Sequence, residues 1–392
     1  MRYILALNKT LLFAKTACFL LLTAFMLTAA ACSPRQQRQE HITIGALFPL
    51  TGEGADEGLR QLNGVQLAKE EINARGGILG RRLDIIVLND RGCTEYIIKQ
   101  YNRLIEKGVA AIIGSSYSVP TIALAMAAEK DGIPVISPTA SDPIVTLGRQ
   151  NVFRAIFTDD YQVKVMAYFA YNSLNARTAV VLGNQNFANY LQAAKYFNES
   201  FTAFGGHIMA FELFSSKDDF KRILKKYVAN PPDIIFSPDN FVSAARLVNA
   251  VYEIGLVNTY ILGTDAWDGI LTYVSNLRAM ERVYYTAPFS FDDQSEEVSR
   301  FVRNFFNRFA QMPLTGSANA YISVHILADA ITKAESTDWA DIVSAIREKE
   351  FDTITGRIQF DENNNPYISV YIIQIKGGEY SSLKKISLRE RQ

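Results

Sequence analysis

Four short stretches of this 392-residue chain carry residue types that hold small charged molecules: TGEGADEG (51–58), GSSYSVPT (114–121), SPTASDP (137–143) and GTDAWD (263–268). The first nearly matches the G-x-G-x-x-G of a dinucleotide site, but Glu57 stands where the third glycine belongs. Glu53, Asp56 and Glu57 would repel a pyrophosphate held at a helix N-terminus. In the second, Ser118 is placed to cap the helix that follows. Its hydroxyl and the free amides of the first turn could equally receive a ligand carboxylate. The third offers the hydroxyls of Thr139 and Ser141 just before Asp142-Pro143, a helix-start signal, and two hydroxyl-rich strand ends are what an anion pocket needs. In the fourth, Asp265 beside Trp267 either caps a helix or faces a cation through a charge-assisted bond of about 1.5–3 kcal/mol.

Other chemistry is not encouraged by the pattern. GSSYS lacks the second glycine of a nucleophile elbow, and no Ser, His, Asp arrangement stands out. The 3 His, at 41, 207 and 325, are far apart and near no Cys, so no metal cluster is expected. Asp361-x-Asn363-x-Asn365 has the spacing of a calcium loop, but Pro366 stands where that loop needs Gly, and a hairpin turn explains it better. With 40 basic against 40 acidic residues the chain lacks the positive excess that nucleic-acid binding requires. A binding protein without cofactor fits these residues better than an enzyme.

The elements that must position these loops can be read from hydrophobic period. β-branched runs at 42–48, 82–88, 109–114, 134–137, 178–183, 207–213, 233–237 and 260–263 alternate with amphipathic stretches. Residues 61–73, for instance, place Leu62, Val65, Leu67, Ala68 and Ile72 on one helical face. Repeated βα units imply an α/β fold with parallel sheets covered by helices on both faces, and so many units divide most economically into two lobes joined near 153–158. In such sheets ligands sit at the carboxyl ends of strands, where all four stretches fall. A mostly helical block follows at 294–349, and ITGRIQF (354–360) with YISVYIIQI (367–375) reads as a hairpin.

The leading residues tell of destination. Arg2, Lys9 and Lys15 precede an apolar run at 17–31 that ends in small residues before Cys32, an export signal too short to cross a bilayer permanently. Cleavage before Cys32 with acylation of its thiol, or ordinary Ala-x-Ala cleavage, are both open; the polar stretch SPRQQRQEH (33–41) suits a tether from a lipidated Cys32. Without those three cations the 40 basic residues become 37 against 40 acidic ones, a mildly acidic body.

In this order the pieces resemble the type I periplasmic solute-binding proteins, specifically the leucine/isoleucine/valine-binding branch that serves ABC transporters. The resemblance is carried by IGALFPLTGEGADEG (44–58), EINARGGILGRRLDIIVLND (71–90), IIGSSYSVPT (112–121), DGIPVISPTASDP (131–143), ILGTDAWDG (261–269) and ITGRIQFDENNN (354–365). It implies two Rossmann-like lobes joined by a three-segment hinge: residues 42–155 plus 288–352, and residues 156–287 plus 353–392. It implies that Ser118, Thr139 and Ser141 bind an α-carboxylate, that Asp265 binds the α-ammonium, and that Phe187 and Asn240 complete the site from the second lobe; Trp267, beside Asp265, is a further candidate from the loop itself. Glu57 stands where a relative has an aromatic residue, which would favour a polar or basic ligand if the side chain faces the pocket. Cys93 aligns with half of a family disulfide whose other position is Tyr117 here, so a free thiol is expected. The implied protein is a periplasmic or cell-surface lipoprotein, not an enzyme, that closes over an amino acid and presents it to membrane permease subunits. A ligand sensor signalling to a receptor or kinase is the alternative.

Overall fold

The computed structural model describes residues 41–52 and 54–388. The expected export segment, Cys32, the tether up to residue 40 and Glu53 lie outside the described residues.

The first sheet holds β1 (His41–Phe48), β2 (Arg82–Asn89), β3 (Ile112–Gly114), β4 (Val135–Ser137) and β5 (Val152–Arg154) in the order β2-β1-β3-β4-β5. β1 with β3, β3 with β4 and β4 with β5 pair in parallel. Its connections are α1 (Ala55–Ala74), α2 (Thr94–Glu106) and α3 (Ser118–Asp131). β1 is buried on both faces because Ile42, Ile44, Ala46 and Phe48 fill one core and Leu47 another. Such strands read as continuous apolar runs. α3 stops at Gly132, whose φ of 85° is open to glycine and strained for other residues.

The second sheet is built from β6 (Thr178–Asn184), β7 (His207–Phe214), β8 (Ile234–Phe236), β9 (Tyr260–Gly263) and β10 (Val283–Ala287). Around it lie α4 (Asp159–Asn172), α5 (Ala188–Ala203), α6 (Phe220–Leu224) and α7 (Phe241–Glu253). Then α8 (Glu296–Phe309), α9 (Thr315–Ala334) and α10 (Trp339–Glu348) return to the first lobe, where Phe301, Ile322, Ile331 and Ile346 join its core. The chain ends with β11 (Phe351–Thr353), β12 (Gly356–Ile358), β13 (Val370–Lys376) and β14 (Glu379–Ile386). β13 extends the second sheet antiparallel to β10 and β14 pairs antiparallel to β13, giving the order β14-β13-β10-β9-β8-β6-β7. Their hairpin turns on Gly377 and Gly378, with φ of 62° and 83°, the paired positive values of a type I′ turn.

The chain changes lobe three times. Ala155 packs in the first core and Ile156 in the second; Ala287 belongs to the second and Phe289 to the first. The third passage corrects the sequence reading. Residues 354–360 and 367–375 do not form one hairpin: β11 pairs with β12, β13 pairs with β14, and only a single bridge joins Phe360 to Pro366. Phe351, Ile358 and Phe360 fill the first core. The calcium-like spacing is turn chemistry, since Asp361 Oδ1 accepts the amides of Asn363 and Asn365 at 2.9 and 2.8 Å. Among the described residues no helix is long and apolar enough to cross a membrane.

Candidate functional site

Parallel strands bring their carboxyl ends to one edge of each sheet, so the loops after β1, β3 and β4 gather on the first lobe and those after β6, β8 and β9 on the second. On the first lobe Ser118 does not cap α3. Tyr117 occupies the cap position, and the Ser118 hydroxyl instead accepts the Asp142 amide at 3.3 Å, tying two strand-end loops together. Thr139 donates to the Ser116 carbonyl at 2.8 Å and accepts from Gln61 Nε2 at 2.8 Å, while the Ser116 hydroxyl donates to Gln61 Oε1 at 2.7 Å. Gln61 is fully buried, so this network fixes both hydroxyl loops against α1.

Ser141 is held from behind. Arg154 is wholly buried and donates to the carbonyls on either side of it, Ala140 at 2.8 Å and Asp142 at 2.7 Å, and to the Thr146 hydroxyl at 3.0 Å. Burial pulls its guanidinium down to about 10, yet nearby carboxylates, first among them Asp159, oppose that. The Ser141 carbonyl accepts the Asp159 amide at 3.0 Å and the Ser141 hydroxyl bonds the Asp159 carboxylate, a contact across the passage between lobes.

The second lobe answers with acids. Gln162 Nε2 donates to Asp265 Oδ1 at 2.7 Å and to Asp159 Oδ1 at 2.9 Å, while its Oε1 accepts the Thr286 hydroxyl at 2.7 Å. One amide therefore holds two carboxylates together. Burial, then repulsion from Asp159, pushes Asp265 up to about 7; burial is also the first cause that takes Asp159 to about 6. Asp268 accepts the Thr315 amide of α9 at 2.8 Å, a second link between lobes. The Tyr190 phenol is raised by burial and by the fields of Asp239 and Asp265, which places it beside the same acids.

Glu57 lies in the first turn of α1 rather than in a loop, so its charge is favoured by the helix dipole. It accepts from Gln61 Nε2 at 2.9 Å, approaches Arg60 at 3.6 Å and lies against Gly316 of α9, where a Cβ would strike its carboxylate. Burial raises its carboxyl, Arg60 opposes this, and Asp268 adds a smaller repulsion from the other lobe.

Two expected residues have other duties. Trp267 is fully buried in the second core, its indole over Gly263 where any Cβ would collide, so it is packing rather than a cleft wall. Asn240 caps α7, its Oδ1 accepting the amides of Val242 and Ser243 at 3.1 and 3.0 Å. Phe187 opens α5, half exposed, with its ring edge-on to Tyr190 at 5.6 Å. Cys93 is a free, half-buried thiol preceding α2. Sequence reasoning missed Gln61, Ser116, Asp159, Gln162, Tyr190 and Asp268. Asp159 resembled an ordinary first-turn acid, and a glutamine inside a helix carries no signal until its partners are known.

Comparison with known proteins identifies the family and the fold. The family model for periplasmic binding proteins matches residues 41–379, and the chain belongs to that family. The Leu/Ile/Val-binding protein BraC3 of Rhizobium johnstonii is 27% identical over 363 residues, covering 88% of this chain and 93% of the relative. Among solved structures, the branched-chain amino acid substrate-binding protein LivJ of Streptococcus pneumoniae, in complex with isoleucine, is 27% identical with a TM-score of 0.81, covering 88% of this chain and 99% of that one. The leucine-binding protein LivK of Thermotoga maritima gives 27% and 0.80 with the same coverage of each chain.

Proposed function

We propose that this chain is the extracytoplasmic receptor of an ABC transporter, taking an amino acid or similar small zwitterion between its lobes and delivering it to permease subunits. The observation that carries the reading is the meeting of a hydroxyl wall with a bridged acid pair at the strand ends. Ser118, Ser141 and the amides beside them receive the α-carboxylate; Thr139 holds their loops in place; Asp265, with Asp159, receives the α-ammonium. Phe187 and Tyr190 cover the ligand from the second lobe. Binding draws the lobes together about the three passages, a hinge closure. Micromolar affinity, about −8.2 kcal/mol, is within reach of several charge-assisted bonds after the cost of closure. Acylated Cys32 and the tether at 32–41 keep the receptor at the membrane.

A thermal-shift screen against amino acids and short organic acids tests the ligand class. A ligand at 100 times its Kd stabilises by about 2.7 kcal/mol. A response from carboxylates without an amine, and none from amino acids, would overturn the zwitterion reading. Mass spectrometry of the mature N-terminus tests acylation at Cys32.

A further inference from the structure

We propose that the ligand carries a second positive charge on its side chain, so that the cleft prefers a basic amino acid, with a terminal ammonium or guanidinium, to an aliphatic one. The inference rests on the cleft being the amino-acid site and names the ligand class within it. Four carboxylates from three places converge there: Asp159 at the start of α4, bridged through Gln162 to Asp265 after β9, and Asp268 of that same segment, which with Glu57 in the first turn of α1 meets the adjacent residues Thr315 and Gly316. Asp265 feels Asp159 first and then Asp268 and Glu57, and Glu57 feels Asp268, so these are one field rather than separate surface acids.

Among the described residues two arginines act on these acids. Arg60 is 3.6 Å from Glu57 and its guanidinium lies beside Gly269. Arg154 acts on Asp159, but its two terminal nitrogens donate to the carbonyls and hydroxyl behind the Ser141 loop. The tyrosines coupled to these acids, Tyr190, Tyr285 and Tyr380, bring no positive charge. An α-ammonium meets Asp265 and Asp159 and leaves Glu57 with Arg60 and Asp268 with the neutral Thr315 amide and Tyr285 hydroxyl. An aliphatic side chain enclosed beside them would strip water from both carboxylates and return no hydrogen bond.

An independent feature marks the same place. The Thr315 hydroxyl is buried without a hydrogen-bond partner, although the Thr315 amide donates to Asp268 and adjacent Gly316 lies against Glu57. A side chain ending in several N–H donors would meet Glu57, Asp268 and this hydroxyl together.

Calorimetric titration of the full chain at pH 8 with L-lysine, L-arginine, L-leucine and L-norleucine tests the proposal, because lysine and norleucine differ by the terminal ammonium alone. Lysine or arginine is expected to bind about 10–100-fold more tightly than norleucine, the range of one or two charge-assisted bonds. Glu57→Gln should shrink that ratio several-fold, with Asp268→Asn as the second variant should the first not fold. Equal or tighter binding of leucine or norleucine overturns the basic preference and leaves the amino-acid receptor standing. An unchanged ratio in the folded variants also overturns it. Binding of none of the four overturns the basic preference, and the wider screen of amino acids and organic acids then decides the receptor reading.

Discussion

Replacing Asp265 by Asn should weaken ligand binding and, in the absence of ligand, stabilise the protein. Asp265 keeps its proton up to about 7 instead of the ordinary 3.8, chiefly through burial and then through Asp159. A carboxyl that holds its proton more tightly when folded costs nothing below about pH 4. Its cost grows as pH rises through the interval up to about 7 and is constant above that. The whole displacement corresponds to about 4 kcal/mol at about 1.36 kcal/mol per pH unit, an upper bound because the residue is not fully buried. Sharing the field with Asp159 and Asp268 leaves about 1–2 kcal/mol relieved by Asn, or about 2–5 °C in Tm at pH 8. Asn also keeps an oxygen for the Gln162 donor that binds Asp265 at 2.7 Å, so the local frame survives. An amine-bearing ligand loses a charge-assisted bond of about 1.5–3 kcal/mol, about 10–150-fold in Kd. Melting curves at pH 4 and pH 8 with titration calorimetry read both effects. A variant that binds such a ligand as tightly as the parent, or melts lower at pH 8, would refute the assignment of Asp265 as a strained counter-ion.

Other substitutions probe the frame around the cleft. Arg154→Met removes the donor to Ala140, Asp142 and Thr146 and should cost about 3 kcal/mol or more in urea unfolding, with the Ser141 loop the first segment to lose amide-exchange protection. Gly263→Ala forces a methyl into the Trp267 indole and should cost about 1–3 kcal/mol, seen as a lower Tm at every pH. His325 packs on Tyr321 at 4.4 Å, and burial, then Arg75, lowers it to about 4. A base whose folded pKa is depressed loses stability as pH falls from about 6.5 to 4, here by up to about 3 kcal/mol, so His325→Phe should flatten the acid limb of a Tm-against-pH curve. Ser118→Ala removes one neutral acceptor and a ligand donor and should weaken a carboxylate ligand by about 2–10-fold in calorimetry.

Local chemistry by itself determined the class of fold and where to look. The apolar runs that became β1, β6 and β9 were legible because a strand covered on both faces must be apolar throughout, and parallel strands place their ligand loops at one edge. Short or polar strands escaped: β5 is three residues ending in arginine, and β14, EYSSLKKI, is a polar edge strand recognisable only by its pairing with β13. Ser118, Ser141 and Asp265 were candidates because their types and positions sufficed. Tertiary structure alone decided which candidates share one field. It bridged Asp265 to Asp159 through Gln162, residues 103 apart in sequence for the Gln162–Asp265 bond, and set Glu57 against Asp268 from the opposite lobe. It also took Trp267 into the core, because the missing side chain of Gly263 leaves room for an indole there. Electrostatic coupling and packing depend on distance in space, which a one-dimensional pattern does not contain, whereas burial and turn chemistry depend on residue type and period, which it does.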